Sequence, residues 1–189
     1  MCERWWPAAR ATTSAPGSTC RNWSSVIRAA VLHGAVVGGG LELAAACHIR
    51  VAEAPAYFGS PEGQRGIFVG GGGSVRIPRL MGTARMTDMR LTGRVFDAQE
   101  DERAGLVQYL TAEGEGLAKG IALAQKLAGN APMTAFAVMH ALPRSVEQSP
   151  AEGLFTESLM AAVASSTPDA QLRLKAFLEG RAGKVLKGS

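Results

Sequence analysis

A run of three glycines at positions 38–40 constrains this chain more than any other feature. The apolar residues before the run predict a buried strand, and the small residues after it predict a short helix over residues 39–47. Glycine at such a junction permits a tight turn and exposes the unpaired N–H groups of the helix start, because no Cβ stands in front of them. The pattern predicts either a site for a developing oxyanion, or only a tight turn with close packing of helix and strand.

Two glutamates, Glu42 and Glu62, accompany this junction. Glu42 follows Gly39 by three residues and therefore lies on nearly the same side of the predicted helix. Glu62 follows Pro61 in a predicted loop rich in Gly, Ser and Pro, after a strand over residues 56–58. Either glutamate alone is typical of a charge at a helix N-terminus or of a solvated loop. Together they predict a pair of acid–base groups beside the glycine turn.

The glycines do not fit a nucleotide-binding motif. The first run lacks the final glycine of the dinucleotide fingerprint, and the second run, at positions 70–73, is followed by Ser74 and Val75 instead of the lysine of a P-loop. The three cysteines have no CxxC spacing. We therefore predict neither a disulfide framework nor a metal site, and the cysteines favour a reducing compartment.

The composition indicates a soluble globular protein that is long enough, at 189 residues, to bury a proper core. Hydrophobic residues make up 47% of the chain, yet no window approaches the run of about eighteen apolar residues that a membrane span needs. Most of the net charge of +4 comes from the first 28 residues, so the remainder is close to neutral. We therefore expect neither a nucleic acid nor a membrane as a partner.

Three segments are predicted. Residues 1–25 contain all three tryptophans and follow no periodicity, which indicates a disordered or non-homologous segment, a targeting peptide or a functional arm. Residues 26–112 form an α/β core, and residues 113–189 form a helical region. The predicted strands cover residues 26–32, 49–52, 56–58 and 106–110, and the predicted helices cover 75–81, 84–91, 116–128 and 167–180. Capping boxes are predicted at Asp97 with Glu100 and at Ser149 with Glu152.

These motifs together resemble the crotonase (enoyl-CoA hydratase/isomerase) family. The glycine run closing on Glu42 and the Gly-Ser-Pro-Glu segment ending at Glu62 carry the resemblance. Further matching runs are CHIRVA at 47–52, GIFVG at 66–70, RIPRLMG at 76–82, LTG at 91–93, AGLV at 104–107 and FLEGR at 177–181. The resemblance implies a ββα superhelix, here incomplete, with a C-terminal helical layer that builds a homotrimer or a hexamer. It spans residues 26 to about 185.

The resemblance also implies residue roles. Gly39 donates an N–H to the oxyanion of a thioester substrate, Glu42 activates water, and Glu62 exchanges a proton at C2 of a trans-2-enoyl-CoA. Further substrate contacts are implied for Gly38, Gly40, Pro61, Phe68 and Gly70. The family requires no metal or redox cofactor, and coenzyme A arrives as part of the acyl-CoA substrate.

Two alternatives to a hydratase stay open. The same scaffold carries isomerases and other acyl-CoA reactions. The family also has strands, helices and an Ala-Gly-Ala-Asp-like loop upstream of the glycine run, and nothing in residues 1–25 matches them. We therefore expect a chain that lacks the N-terminal third of the family, which favours a non-catalytic or partner-dependent subunit. The expected compartment is the cytoplasm, or the mitochondrial matrix if residues 1–25 are a transit peptide.

Overall fold

The computed structural model describes residues 9–12, at the level of the backbone, and residues 27–183. Contacts divide the chain into two compact units, Met1–Ala128 and Gly129–Ser189. The first unit mixes strands and helices, and the described part of the second unit is helical. The predicted α/β class with a helical C-terminal region is therefore confirmed.

The first unit contains two small sheets. Its strands are β1 (Ala9–Thr12), β2 (Ala29–Leu32), β3 (Ala35–Val37), β4 (Ile49–Glu53), β5 (Tyr57–Gly59), β6 (Phe96–Asp97) and β7 (Tyr109–Thr111). One sheet has the order β1-β2-β4-β7, and the other has the order β3-β5-β6. The β2–β4, β4–β7 and β3–β5 pairs are parallel, whereas β1–β2 and β5–β6 are antiparallel. Strands β4 and β5, adjacent in sequence, thus belong to different sheets.

The helices of this unit are α1 (Gly39–Ala45), α2 (Gly73–Met81), α3 (Thr83–Thr92), α4 (Ala98–Ala104) and α5 (Gly116–Ala128), with a 3₁₀ helix over Pro61–Arg65. Helix α1 packs on α2 and on β3, and α3 packs on α2 and on the 3₁₀ helix. The core between these elements contains mostly aliphatic side chains, methionines and Phe58, among them Leu32, Val36, Leu41, Ile77, Met81, Met86, Met89 and Leu106. Met86 and Met89, three residues apart on α3, both belong to this core.

Helix α5 approaches strand β2 closely because two of its residues are glycines. A Cβ built on Gly120 would lie 2.6 Å from a methyl carbon of Val31, and one built on Gly116 would lie 2.8 Å from the other. The Gly116 N–H, at the start of α5, donates to the buried Glu53 carboxylate at 3.0 Å. A carboxylate at a helix N-terminus accepts an otherwise unpaired N–H and interacts favourably with the helix dipole.

The second unit contains helices α6 (Pro132–His140), α7 (Leu142–Glu147), α8 (Pro150–Ser165) and α9 (Pro168–Leu178). Helices α6, α7 and α8 pack on one another, and α9 packs on α8. The predicted capping box at Ser149 and Glu152 is present, as is the one at Asp97 and Glu100 in the first unit. Large apolar side chains on this unit are exposed, among them Leu154, Phe155, Leu172, Phe177 and Leu178.

Several predicted boundaries were wrong. The described part of the first predicted strand is regular only from Ala29, and the strand predicted over 106–110 begins at Tyr109. Leu106 and Val107 are buried, but their N–H groups both donate to the Asp101 carbonyl at the end of α4, which keeps them out of the sheet. Within the segment 1–25, residues 9–12 form β1, and the other predictions for that segment lie outside the described residues.

Candidate active site

The glycine turn forms as predicted, at the junction of β3 and α1. Gly38 adopts a φ of +59°, a conformation that L side chains rarely adopt. Its N–H donates to the Gly59 carbonyl of β5 at 3.0 Å, and its own carbonyl accepts from the Glu42 N–H at 3.0 Å. The next N–H groups, those of Gly39 and Gly40, belong to the first turn of α1 and have no acceptor within the helix.

Glu62 lies on the 3₁₀ helix and not in a loop, so the sequence prediction was wrong on this point. Pro61 favours the helix start because it lacks the N–H that would be unpaired there. The buried Ser60 hydroxyl donates to Glu62 Oε2 at 2.8 Å. The other oxygen, Oε1, lies against the glycine turn, since a Cβ built on Gly38 would approach it to 2.6 Å. Gly38 is therefore needed both for its φ and for the space that the carboxylate fills.

A pocket of about 280 Å³ forms where these elements meet. Its lining residues are Val37, Gly38, Gly39, Gly40, Pro61, Glu62 and Arg65. The structure thus brings five of the predicted site residues together around one cavity, with an acid–base group and a helix N-terminus facing it. Such an arrangement can hold a carbonyl oxygen on backbone N–H groups while a carboxylate moves a proton on a neighbouring carbon.

Glu42 lies on the first turn of α1, but its carboxylate is bound by the second glycine run. Oε1 accepts the N–H of Gly71 at 2.9 Å and the N–H of Gly73 at 2.8 Å, at the start of α2. Both glycines are required by this contact, because a Cβ on either would lie within 3 Å of the Glu42 side chain. The glycine run at 70–73 therefore binds a carboxylate of this chain itself.

The structure places Phe68 and Gly70 outside the lining of this pocket. Phe68 is 77% exposed, and the Arg90 guanidinium lies 4.8 Å from its ring centroid. Gly70 is exposed, with open space where a Cβ would be. Their implied roles in substrate binding stay predictions.

Two lining residues, Val37 and Arg65, were not predicted as site residues, and Arg65 is the charged one. It lies three residues after Glu62, and residues three apart in a 3₁₀ helix lie on the same face. In the loop that the sequence predicts after β5, a spacing of three residues does not place two side chains on one face.

A wider cavity of about 930 Å³ lies elsewhere in this unit, beside α5 and β7. Its lining includes Glu102, Glu115 and Lys119. None of the predicted site residues lines this cavity, so we assign the chemistry to the smaller pocket.

Besides Glu53, two buried charged residues lie outside the pocket. Arg50 of β4 donates from its guanidinium to the carbonyls of Leu106 and Cys47, and burial lowers its pKa. Asp101 of α4 is completely buried, and within the described part of the chain neither carboxylate oxygen has a hydrogen-bond partner. Burial, reinforced by the negative charges of Glu100 and Asp97, raises the pKa of Asp101 to about 7.

The comparison with protein families decides the identity of the fold. The model of the enoyl-CoA hydratase/isomerase family matches residues 19–185. The chain belongs to this family. The match begins earlier than the resemblance predicted from the motifs and ends where that resemblance ends.

Relatives and solved structures agree with this assignment. A Rhizobium meliloti protein named "Probable enoyl-CoA hydratase" is 38% identical over 80% of this chain. A crystal structure of a Rhodopseudomonas palustris protein named "putative enoyl-CoA hydratase" is 57% identical, covers 82% of this chain and superposes with a TM-score of 0.77. The Bacillus anthracis enoyl-CoA hydratase is 33% identical, covers 82% of this chain and superposes with a TM-score of 0.73. The predicted crotonase fold is thereby confirmed.

The chain spans about 60% of the length of these proteins: 59% of the Rhizobium meliloti relative, 61% of the Rhodopseudomonas palustris structure and 60% of the Bacillus anthracis structure. Within residues 27–183, no three His, Cys, Asp or Glu side chains are grouped so that they could hold a metal ion. Over the same residues, no helix has the length and apolar character that crossing a membrane requires.

Proposed function

We propose that the protein is an enoyl-CoA hydratase-type lyase, which adds water across the C2–C3 double bond of a trans-2-enoyl-CoA. The observation that carries this proposal is the Glu62 carboxylate, which Ser60 holds against the glycine turn in a pocket at the start of α1. Family membership supports the substrate class. No cofactor is required beyond the coenzyme A moiety of the substrate.

In this proposal the thioester oxygen accepts the Gly39 N–H, with Gly38 and Gly40 keeping the approach open. Negative charge that develops on this oxygen is stabilised there because the donor is fixed before the reaction begins. Water, held by Glu42, forms its C–O bond at C3, and the proton that it loses is taken up by the Glu62 carboxylate and passed to C2, so that both glutamates end as they began. Every atom of the water molecule is then in the 3-hydroxyacyl product.

A second candidate is an enoyl-CoA isomerase, and the position of Glu42 favours it. One oxygen of Glu42 already accepts two backbone N–H groups, whereas Glu62 lines the pocket. A single carboxylate suffices for isomerisation, in which the proton removed from C2 of a 3-enoyl-CoA returns at C4 and the double bond moves to C2–C3. The two candidates differ in whether water enters the product.

The test is the loss of enoyl-thioester absorbance when the purified chain is mixed with crotonyl-CoA. We expect hydration, and we expect Glu62→Gln to lower its rate by about 10²–10⁴-fold. The matched control is Glu113→Gln, an exposed loop residue, which should retain full activity. Turnover of a 3-enoyl-CoA without hydration would favour the isomerase. A folded sample with neither activity would refute both candidates and favour a partner-dependent subunit.

The proposed assembly is a homotrimer or a dimer of trimers, formed through the C-terminal helices. The exposed large apolar side chains of α8 and α9, such as Phe155 and Phe177, support it, because side chains of this kind gain stability when a partner surface covers them. Light scattering coupled to size exclusion should give three or six times the mass of the chain. A monomer at micromolar concentration would contradict this assembly.

A further inference from the structure

Arg65 extends from the same face of the 3₁₀ helix as Glu62. The helix covers Pro61–Arg65, and the two side chains are three residues apart, one full turn of a 3₁₀ helix. Both side chains line the pocket that contains the glycine turn. The pocket is therefore lined by an acidic and a basic residue from the same face of the 3₁₀ helix.

The Arg65 guanidinium differs from its neighbours in having no partner within the described part of the chain. Arg76 donates to the Gly71 carbonyl at 3.0 Å, and Arg90 lies over the Phe68 ring. Arg94 pairs with Asp88 and Glu100. These arginines are held by the fold, whereas the donors of Arg65 remain available beside the pocket. A guanidinium has five N–H donors in a planar fork that suits a carboxylate.

The distance from Glu62 decides which anion Arg65 can meet. At a rise of about 2.0 Å per residue, the Cα atoms of Glu62 and Arg65 lie about 6 Å apart along the helix axis. Glu62 acts at C2 of the acyl group, so the anion must lie a few carbon atoms from the reacting carbons. The phosphates of coenzyme A are separated from the thioester by the whole pantetheine arm, and they lie too far away. The remaining source is the far end of the acyl group.

We propose that Arg65 is a specificity-determining residue that binds a carboxylate at the far end of the acyl group, so that the preferred thioesters are derived from short dicarboxylic acids. This inference rests on the proposed function, because it uses Glu62 as the group beside C2. The contact is an N–H···O pair between guanidinium and carboxylate, stronger than a neutral hydrogen bond.

The test measures binding of two saturated thioesters that cannot react, butyryl-CoA and glutaryl-CoA, by calorimetry. We expect the unmodified chain to bind glutaryl-CoA about tenfold more tightly, the ratio that a charge-assisted hydrogen bond of about 1.4 kcal/mol gives. Arg65→Met should abolish this preference, and Arg65→Lys should retain part of it. The control Arg103→Met removes an exposed arginine of α4 with the same change in net charge, and it should leave the ratio unchanged.

Equal affinity for the two thioesters, or loss of the preference in Arg103→Met as well, would overturn the proposal. Raising the salt concentration for the unmodified chain gives a second measurement that needs no variant, since screening should reduce the preference for glutaryl-CoA. An unchanged ratio at high salt would also contradict the contact.

The same assays distinguish a failure of the proposed lyase activity from a failure of the proposed role of Arg65. A preference for glutaryl-CoA that depends on Arg65, in a chain that does not hydrate crotonyl-CoA, would keep the binding role and refute the lyase. Hydration of crotonyl-CoA and glutaconyl-CoA with equal kcat/KM would keep the lyase and refute the role of Arg65.

Discussion

The half-buried carboxylates of Glu42 and Glu62, at and near the pocket beside α1, have hydrogen-bond donors, whereas the completely buried carboxylate of helix α4 has none among the described residues. Around the pocket, Glu62 accepts a hydroxyl hydrogen from Ser60 and Glu42 accepts two backbone N–H groups. On α4, Asp101 is buried without any partner among the described residues. Donors fix the carboxylates of Glu42 and Glu62 in position, whereas burial without donors favours the protonated form of Asp101. The first arrangement suits proton transfer, and the second affects how stability depends on pH.

The largest effect is expected from Gly38→Ala, which changes the space that the Glu62 carboxylate occupies. The new Cβ would lie 2.6 Å from Glu62 Oε1. The backbone φ of +59° at this position would also cost about 1–3 kcal/mol in a residue other than glycine. We expect turnover to fall by about 10²-fold or more, because Glu62 must move. Thermal unfolding and the hydration assay measure the two effects.

Gly34→Ala is the matched control for this prediction. Gly34 has the same φ of +59°, but there is open space where its Cβ would be. The strained φ alone should lower the stability of this variant, and its activity should be retained. Equal losses of activity in the two variants would show that strain, and not the contact with Glu62, is responsible.

The second prediction concerns Asp101→Asn. The unfolded chain releases this proton near pH 3.8, and the folded chain releases it near pH 7. Between these values the folded state holds a proton that the unfolded state has lost, so the stability of the unmodified protein falls as the pH rises from about 4 to about 7 and then levels off. The full difference is on the order of 4 kcal/mol. Asparagine cannot ionise, so the variant should lack this decline.

Chemical unfolding between pH 4 and pH 8 measures the slope for Asp101→Asn. The exposed Glu102→Gln on the same helix is the control and should keep the decline. If stability depends on pH in Asp101→Asn as it does in the unmodified protein, the buried Asp101 carboxyl is not the source of the decline. Turnover at a fixed pH should be the same in both variants, since neither side chain lines the pocket beside α1.

How far the sequence predicts this molecule depends on whether a pattern is local. The glycine turn, the capping boxes and helix α5 (Gly116–Ala128) follow from neighbouring residues, and the structure has them where the sequence predicts them. The carboxylate contacts could not be predicted in this way. Glu42 binds Gly71 and Gly73, about thirty residues further along the chain, and only the packing of α1 on α2 brings them together. Asp101 lies in a polar, helix-forming segment, and no local pattern indicates that its carboxylate is completely buried.

The third prediction concerns Glu42, the carboxylate that accepts two backbone N–H groups. Glu42→Gln keeps an oxygen near Gly71 and Gly73 but removes the charge, which weakens two charge-assisted hydrogen bonds at the start of α2. We expect the free energy of unfolding to fall by about 1–2 kcal/mol. Glu62→Gln should change stability by less, because its carboxylate accepts a single hydroxyl. Equal losses of stability in the two variants would show that the donors do not distinguish these carboxylates.

The smallest effect is expected from Ser60→Ala, which removes the donor and leaves Glu62 in place. Ser60 is 2% exposed, and its hydroxyl lies 2.8 Å from Glu62 Oε2. Loss of this hydrogen bond should lower stability by about 1 kcal/mol and leave the carboxylate less well oriented. Because Ser60 acts through Glu62 as a positioning residue, kcat should fall severalfold while KM changes little. Ser60→Thr restores a hydroxyl at this position and should recover most of kcat. If Ser60 has a purely structural role, both variants should lose stability and the alanine variant should show no specific loss of kcat.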